Sequence, residues 1–183
     1  MNQFHDLDGE RLSQLLITTD KEGNPLSQAT RKDCHTGEGI PHLAFLAFLF
    51  GKEKNIYIQK RSNKKSLWDG YFDASVVSHV MPGENVEEAA RRRGREELGI
   101  ETIFKDLGGF YYFAKFGQNC ENEFCHVLAG HTDQMIHPNP VEISEVKEMR
   151  LPDLLKDAEK NPALYTPWLK IALEKFDLNK VKP

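Results

Sequence analysis

The chain has 183 residues, 39% of them hydrophobic and 28% charged, a balance that suits one water-soluble globular domain with a substantial core. Its formal net charge of −4 speaks against a protein that coats nucleic acid. The three cysteines, Cys34, Cys120 and Cys125, are odd in number and form no CxxC pair, which argues against a disulfide framework.

The opening stretch MNQFHDLDGERLSQ reads as an N-terminal extension over about 1–13. It lacks a basic segment followed by an apolar run, so no signal peptide is expected. Gln14 to Thr18 read as a strand, turned by Asp20 to Pro25. His42 to Phe50 is a buried apolar run, far shorter than the roughly 20 residues that a bilayer span needs. The expected setting is cytoplasmic, with no membrane partner. A turn at Gly51 to Asn55 leads into Ile56 to Gln59, whose alternation suits a half-buried strand. Phe72 to Val80 read as one further strand, ended by Pro82 and Gly83. Asn85 is placed to cap a helix with Glu87 and Glu88 in its first turn and Gly99 just past its end. Gly109 to Phe116 and Glu123 to Ala129 read as strands, and two helices over about 152–177 close the chain. The second of these begins with Thr166 as cap and Pro167 at the first helical position. Strands interleaved with a few helices give one α/β or α+β domain over 1–183, as a monomer or homodimer.

Basic residues gather at Lys60, Arg61, Lys64 and Lys65, and again at Arg91, Arg92, Arg93 and Arg95. In an acidic chain such clusters suit a compact anion such as a diphosphate better than a long polyanion, although a solvated charged face reads the same way. The second cluster lies in SHVMPGENVEEAARRRGREELGI, residues 78–100. A loop there delivers Glu84, and a helix places Arg92, Arg93, Glu96 and Glu97 within two turns. Residues three or four apart share a helix face, so Arg93 and Glu97 lie side by side with Glu96 next to them. Carboxylates on one face offer oxygen ligands to a hard cation such as Mg²⁺, and a neighbouring arginine offers a fork to the phosphate that such a cation carries.

This segment resembles the Nudix box, G-x5-E-x7-R-E-U-x-E-E-x-G-U with U aliphatic. Glu84, Arg92, Glu96, Glu97, Gly99 and Ile100 match it, while Ser78, Arg93 and Gly94 depart from it. The resemblance implies the Nudix fold, a mixed β-sheet sandwich flanked by α-helices. Arg93 in place of a glutamate is typical of the type I isopentenyl-diphosphate isomerases, and other stretches are similar to that family. Ala29 to Phe45 resembles its two-histidine segment, Ser75 to His79 the strand of its third histidine, Glu121-Asn-Glu123 its paired glutamates, and Tyr165 to Trp168 its late tryptophan.

Glu121 and Glu123 sit two apart on a strand and so point to one face. With His35, His42 and His79 they make a donor set suited to Mn²⁺, Mg²⁺ or Zn²⁺. The resemblance implies that Arg31, Arg61, Lys65 and Arg93 hold the diphosphate of a small isoprenoid substrate, with Glu97 on a second, diphosphate-bound Mg²⁺. It implies that Glu123 protonates the double bond with help from Tyr111 or Tyr112, and that the face of Trp168 lies beside the carbocation. His5, His126, His131 and His137 have no such support. The family's second acid/base group is a cysteine two residues before the third histidine, and that position is Val77, which has neither lone pair nor proton. Water, the diphosphate itself or Ser75 is left as base, and alternation sends Ser75 to the face of Val77. Glu96 restores the adjacent glutamate pair with which hydrolytic Nudix enzymes bind several Mg²⁺ ions. Hydrolysis of a prenyl or nucleoside diphosphate is therefore the alternative, and a non-catalytic diphosphate binder the third reading.

Overall fold

The computed structural model describes residues 11–181, so most of the expected N-terminal extension, His5 included, lies outside the described residues. The fold is built around β3, His42–Phe50, in which all nine residues are buried. Leu43, Phe45, Ala47 and Leu49 enter one core while Ala44, Leu46, Phe48 and Phe50 enter the other. A strand apolar on both faces is covered on both faces. Preceding it are β1 (Leu15–Thr19), β2 (Pro25–Thr30) and the single-turn helix α1 (Arg31–His35). After it come β4 (Asn55–Arg61), β5 (Phe72–Asp73), β6 (Val76–His79), helix α2 (Val86–Leu98), β7 (Phe104–Phe116), β8 (Asn119–His131) and β9 (Ile143–Arg150). Helices α3 (Leu151–Lys160) and α4 (Pro167–Lys175) end the order.

The strands form one mixed sheet. Along one edge β3 pairs in parallel with β8, which continues antiparallel into β7. Along the other it pairs antiparallel with β1, β6 and β4 in turn, and β4 carries β5 and β9. Helix α2 buries Ala89, Ala90 and Leu98 on one face of the sheet, and α3 and α4 bury Leu154, Trp168, Leu169 and Ala172 on the other. This is the α/β sandwich flanked by helices that the sequence implies.

Local chemistry explains the helix boundaries. Asn85 accepts the Glu88 N–H at 2.8 Å while Glu88 accepts the Asn85 N–H at 2.9 Å, a reciprocal cap, and Gly99 ends α2 in the left-handed conformation at φ 67°. Thr166 precedes α4 as expected, but its hydroxyl donates to Asp73 at 3.0 Å and caps no helix N–H.

Six segments differ from the sequence reading. Phe72 to Val80 is two strands, because Ser75 interrupts the pairing. Its hydroxyl accepts the Leu49 N–H at 2.8 Å and donates to the Tyr57 carbonyl, which joins β3 to β4 where these strands diverge. Strands β2 and β9 and helix α1 were not expected; β2 and β9 are mostly exposed, so no apolar alternation marks them. Strands β7 and β8 are each longer than read, at 13 residues.

Candidate metal centre and anion pocket

Four elements bring the candidate ligands together. Helix α1 ends at His35, whose Nδ1–H donates to the Arg31 carbonyl one turn earlier at 2.8 Å. The chain then passes Gly39, where a Cβ would lie 2.2 Å from the Cys34 carbonyl oxygen and 2.7 Å from Cys120 Sγ; only glycine permits that approach. This tight passage leads into β3, where His42 Nδ1 donates to the Ile40 carbonyl at 2.8 Å. With both Nδ1 protons so committed, Nε2 of each ring carries a lone pair. His42 stands opposite Glu123 in the β3–β8 register, and Glu123 stands opposite Tyr112 in β7–β8. On the other edge His79 of β6 faces Ala44.

His35, His42, His79, Glu121 and Glu123 are all buried, and one ligand atom from each lies within 4.8 Å of all the others. The three imidazole centroids are 4.7 to 5.0 Å apart. His35 Nε2 lies 3.0 Å from Glu121 Oε2, His79 Nε2 3.1 Å and His42 Nε2 3.4 Å from Glu123 Oε1. Despite this proximity, the three Nε2 atoms and Glu121 Oε2 have no hydrogen-bond partner. Buried polar atoms left unpaired are costly, and here they lie in one cluster. That is the arrangement of a cage for one divalent cation, and the nitrogen and oxygen donor set fits Mn²⁺, Mg²⁺ or Zn²⁺.

Electrostatics differ around the ring. Burial disfavours a charged His35, but the Glu121 carboxylate outweighs it and raises the pKa above the usual histidine value. Burial, Arg31 and the other two imidazoles push His79 well below that value. Arg31 Nη1 lies 2.8 Å from His79 Nδ1 and fixes the orientation of the ring. Burial raises the pKa of Glu123, but the facing His42 ring and the Tyr112 hydroxyl more than reverse this and hold it below the ordinary carboxylate value. Burial, then the Glu123 charge, lifts the Tyr112 phenol well above its usual value.

Beside the cage lies a pocket. Arg31, Arg61 and Lys65 supply its cations, His79, Glu121, Glu123 and Tyr112 its polar wall, and Val77, Ser78 and Trp168 the rest. Of the two candidate tyrosines, Tyr112 donates to Glu123 Oε2 at 2.5 Å, whereas Tyr111 donates to Asn122 at 2.9 Å. Val77 faces the pocket as the alternation of β6 requires, but Ser75 does not line it, and its oxygen is taken up by two backbone groups. Ser75 is therefore withdrawn as a candidate base.

Arg93, Glu96 and Glu97 fall outside the pocket wall. Arg93 is 2% exposed and donates to Glu97 at 2.9 Å, Glu96 at 2.6 Å and Glu142 at 2.9 Å, so its guanidinium is saturated by carboxylates. Glu142, which the sequence reading missed, also accepts from Lys65 at 2.6 Å and thus links α2 to the pocket. Two cations against it outweigh burial and bring its pKa down to about 2, while burial raises that of Glu97. Gln59 also donates to Glu97, at 3.2 Å. Glu96 is half exposed and shared with Arg92, which itself grips Glu84 with two nitrogens at 2.5 and 3.0 Å. Arg61 donates to the carbonyls of Leu67 and Trp68 at a left-handed turn where Trp68 has φ 47°, and to Asp73 at 3.3 Å. Asp73 was also missed; its only sequence signal is a carboxylate between the apolar Phe72 and Ala74 of a strand.

The sequence profile of the NUDIX domain matches residues 40–169. An isopentenyl-diphosphate Delta-isomerase from Photorhabdus laumondii is 33% identical over 85% of this chain and 90% of its own length. One from Haloarcula marismortui is 32% identical over 91% and 92%, and one from Mesocricetus auratus 31% identical over 90% and 83%. A crystal structure of a Deinococcus radiodurans protein superposes with a TM-score of 0.72 at 24% identity, covering 88% of this chain and 98% of that one. A MutT protein from Methanosarcina mazei superposes at 0.64 with 17% identity over 78% and 96%, and both show the Nudix fold. The chain belongs to the NUDIX family and, within it, to the isopentenyl-diphosphate Delta-isomerases.

Proposed function

We propose that the chain is an isomerase of the isopentenyl-diphosphate type, which shifts the double bond of a small isoprenoid diphosphate. In this reading it acts in the cytoplasm as a single domain, monomeric or homodimeric, with no nucleic-acid partner. The observation that supports it most is the double engagement of Glu123, whose Oε1 turns into the cage while Oε2 accepts from Tyr112 at 2.5 Å, in a pocket with three cationic side chains.

Arg31, Arg61 and Lys65 hold the diphosphate; Glu97, which lies outside the pocket wall and is bonded to Arg93 and Gln59, would reach a diphosphate-bound Mg²⁺ only by giving up one of these partners. Glu123 and Tyr112 act as one acid, holding a proton on their short bond and releasing it through Glu123 to the terminal alkene carbon. A divalent cation bound in the cage supplies Lewis acidity that offsets the two carboxylate charges and sharpens this acid. Trp168 turns an electron-rich surface to the tertiary cation that results. Loss of a proton from the neighbouring carbon completes the shift. Val77 supplies no base there, and Ser75 is committed elsewhere, so a diphosphate oxygen or water accepts that proton.

Hydrolysis of a diphosphate is the second reading, favoured by the apolar Val77 wall and by the Glu96–Glu97 pair. Against it, the Arg93 guanidinium occupies the space among Glu96, Glu97 and Glu142 that a cluster of Mg²⁺ ions would need. Incubation of the protein with isopentenyl diphosphate, Mg²⁺ and Mn²⁺ in D₂O separates the two. Deuterated dimethylallyl diphosphate is the expected product; released phosphate or monophosphate with no isomer overturns the proposal in favour of hydrolysis.

A further inference from the structure

A carboxylate outside the cage and outside the pocket wall joins two groups that do line the pocket. Asp73 ends β5 and is fully buried. Its Oδ1 accepts the Trp168 Nε1–H at 2.8 Å, the Thr166 hydroxyl at 3.0 Å and the Ala74 N–H at 2.9 Å. Its Oδ2 accepts from Arg61 Nη1 at 3.3 Å. Thr166 also donates its backbone N–H to the Phe72 carbonyl at 3.0 Å, so Asp73 sits at the seam where α4 docks on β5. Arg61 lies over the Trp168 ring, 5.5 Å from its centroid, and Trp68 packs edge-on against that ring at 5.0 Å.

We propose that Asp73 is a positioning residue for the isomerisation, which fixes the plane of Trp168. The inference rests on the isomerase reading above. An indole ring has two side-chain torsions, of which the second has broad minima, and Trp168 borders the pocket while packing against Trp68 and Tyr112. One acceptor on Nε1 removes that freedom, while Arg61 is held in addition by the Leu67 and Trp68 carbonyls. Burying a carboxylate is expensive: desolvation holds Asp73 at about 6 even with Arg61 and three donors against it. An apolar residue would fill this seam at lower cost if packing were all that was required. The acceptor geometry distinguishes this seam from an ordinary helix–strand contact.

The test compares Asp73→Asn, Asp73→Ala and Trp168→Phe by steady-state kinetics on isopentenyl diphosphate and by near-ultraviolet circular dichroism, which reads the Trp68–Trp168 pair. These are the chain's only tryptophans. An amide oxygen at position 73 still accepts the indole N–H, so Asp73→Asn is expected to keep the native tryptophan spectrum and lose less than about 3-fold in kcat. Asp73→Ala is expected to alter that spectrum and lower kcat by about 10-fold or more with KM changed less than about 3-fold. Added to Trp168→Phe, it should cause no further loss, since groups that act as a unit are non-additive. Should the alanine variant not fold, Asp73→Ser, whose hydroxyl is too short to reach the indole, takes its place with the same expectations. Equal damage from Asn and Ala, or losses that add to those of Trp168→Phe, would overturn the proposal. A native protein inactive on isopentenyl diphosphate would sink the isomerase reading instead. The dichroism then decides the anchoring of Trp168: a native spectrum in Asp73→Ala rejects it.

Discussion

The His/Glu cage and the charge network on α2 are both buried and both rich in titratable groups, yet their hydrogen bonds are distributed in opposite ways. In the cage, three imidazole nitrogens and a carboxylate oxygen face one another without partners. In the network, Arg93 is bonded to Glu96, Glu97 and Glu142, and Glu142 also to Lys65, so that every charge is met by an opposite one. Unpaired buried polar atoms are costly, and a bound cation would offset that cost in the cage, whereas the network is satisfied by its own charges. The network is the frame that holds Lys65 and Glu97 beside the cage.

The sharpest break in this comparison is Arg93→Ala. It leaves Glu97 and Glu142 buried without their shared counter-charge and should destabilise the fold by about 3–5 kcal/mol in denaturant melts. The cage should keep its cation affinity in the fraction that remains folded. Tyr112→Phe should lower kcat by about 100-fold, the usual scale for losing a proton-transfer group, whereas Tyr111→Phe should stay within about 2-fold, because Tyr111 bonds Asn122 and not Glu123. A smaller effect is expected from acid. Glu142 is lowered to about 2 from an ordinary 4.5, so its stabilising contribution is complete above pH 4.5 and is lost as the pH falls towards 2. Glu142→Gln should be less stable than the native protein at neutral pH and show a flatter loss of stability across that acid range.

Much of this was legible in the sequence where the signal is local. The Asn85 cap, the Gly99 stop and the side-by-side placement of Arg93 and Glu97 follow from spacing along one helix. The pairing of Glu121 and Glu123 on one face follows from strand alternation, and β8 delivers both to the cage. What spacing cannot carry is partnership across the chain. Glu142 meets Arg93 across 49 residues and Asp73 meets Trp168 across 95, and nothing near either acid in sequence announces the contact. Alternation also failed at Ser75, where the sheet splits and the side chain turns to bridge β3 and β4 instead of joining Val77 in the pocket. The tyrosine choice needed the β7–β8 register, which a bulge between Asp106 and Gly109 shifts out of reach of simple counting.

Anomalous diffraction at the manganese edge from crystals grown with Mn²⁺ tests the central claim most directly. One strong peak bounded by the Nε2 atoms of His35, His42 and His79 and the carboxylates of Glu121 and Glu123, lost in His42→Ala, is the predicted result. Manganese found only along α2 at Glu96 and Glu97, with the five-residue cluster empty, would contradict it.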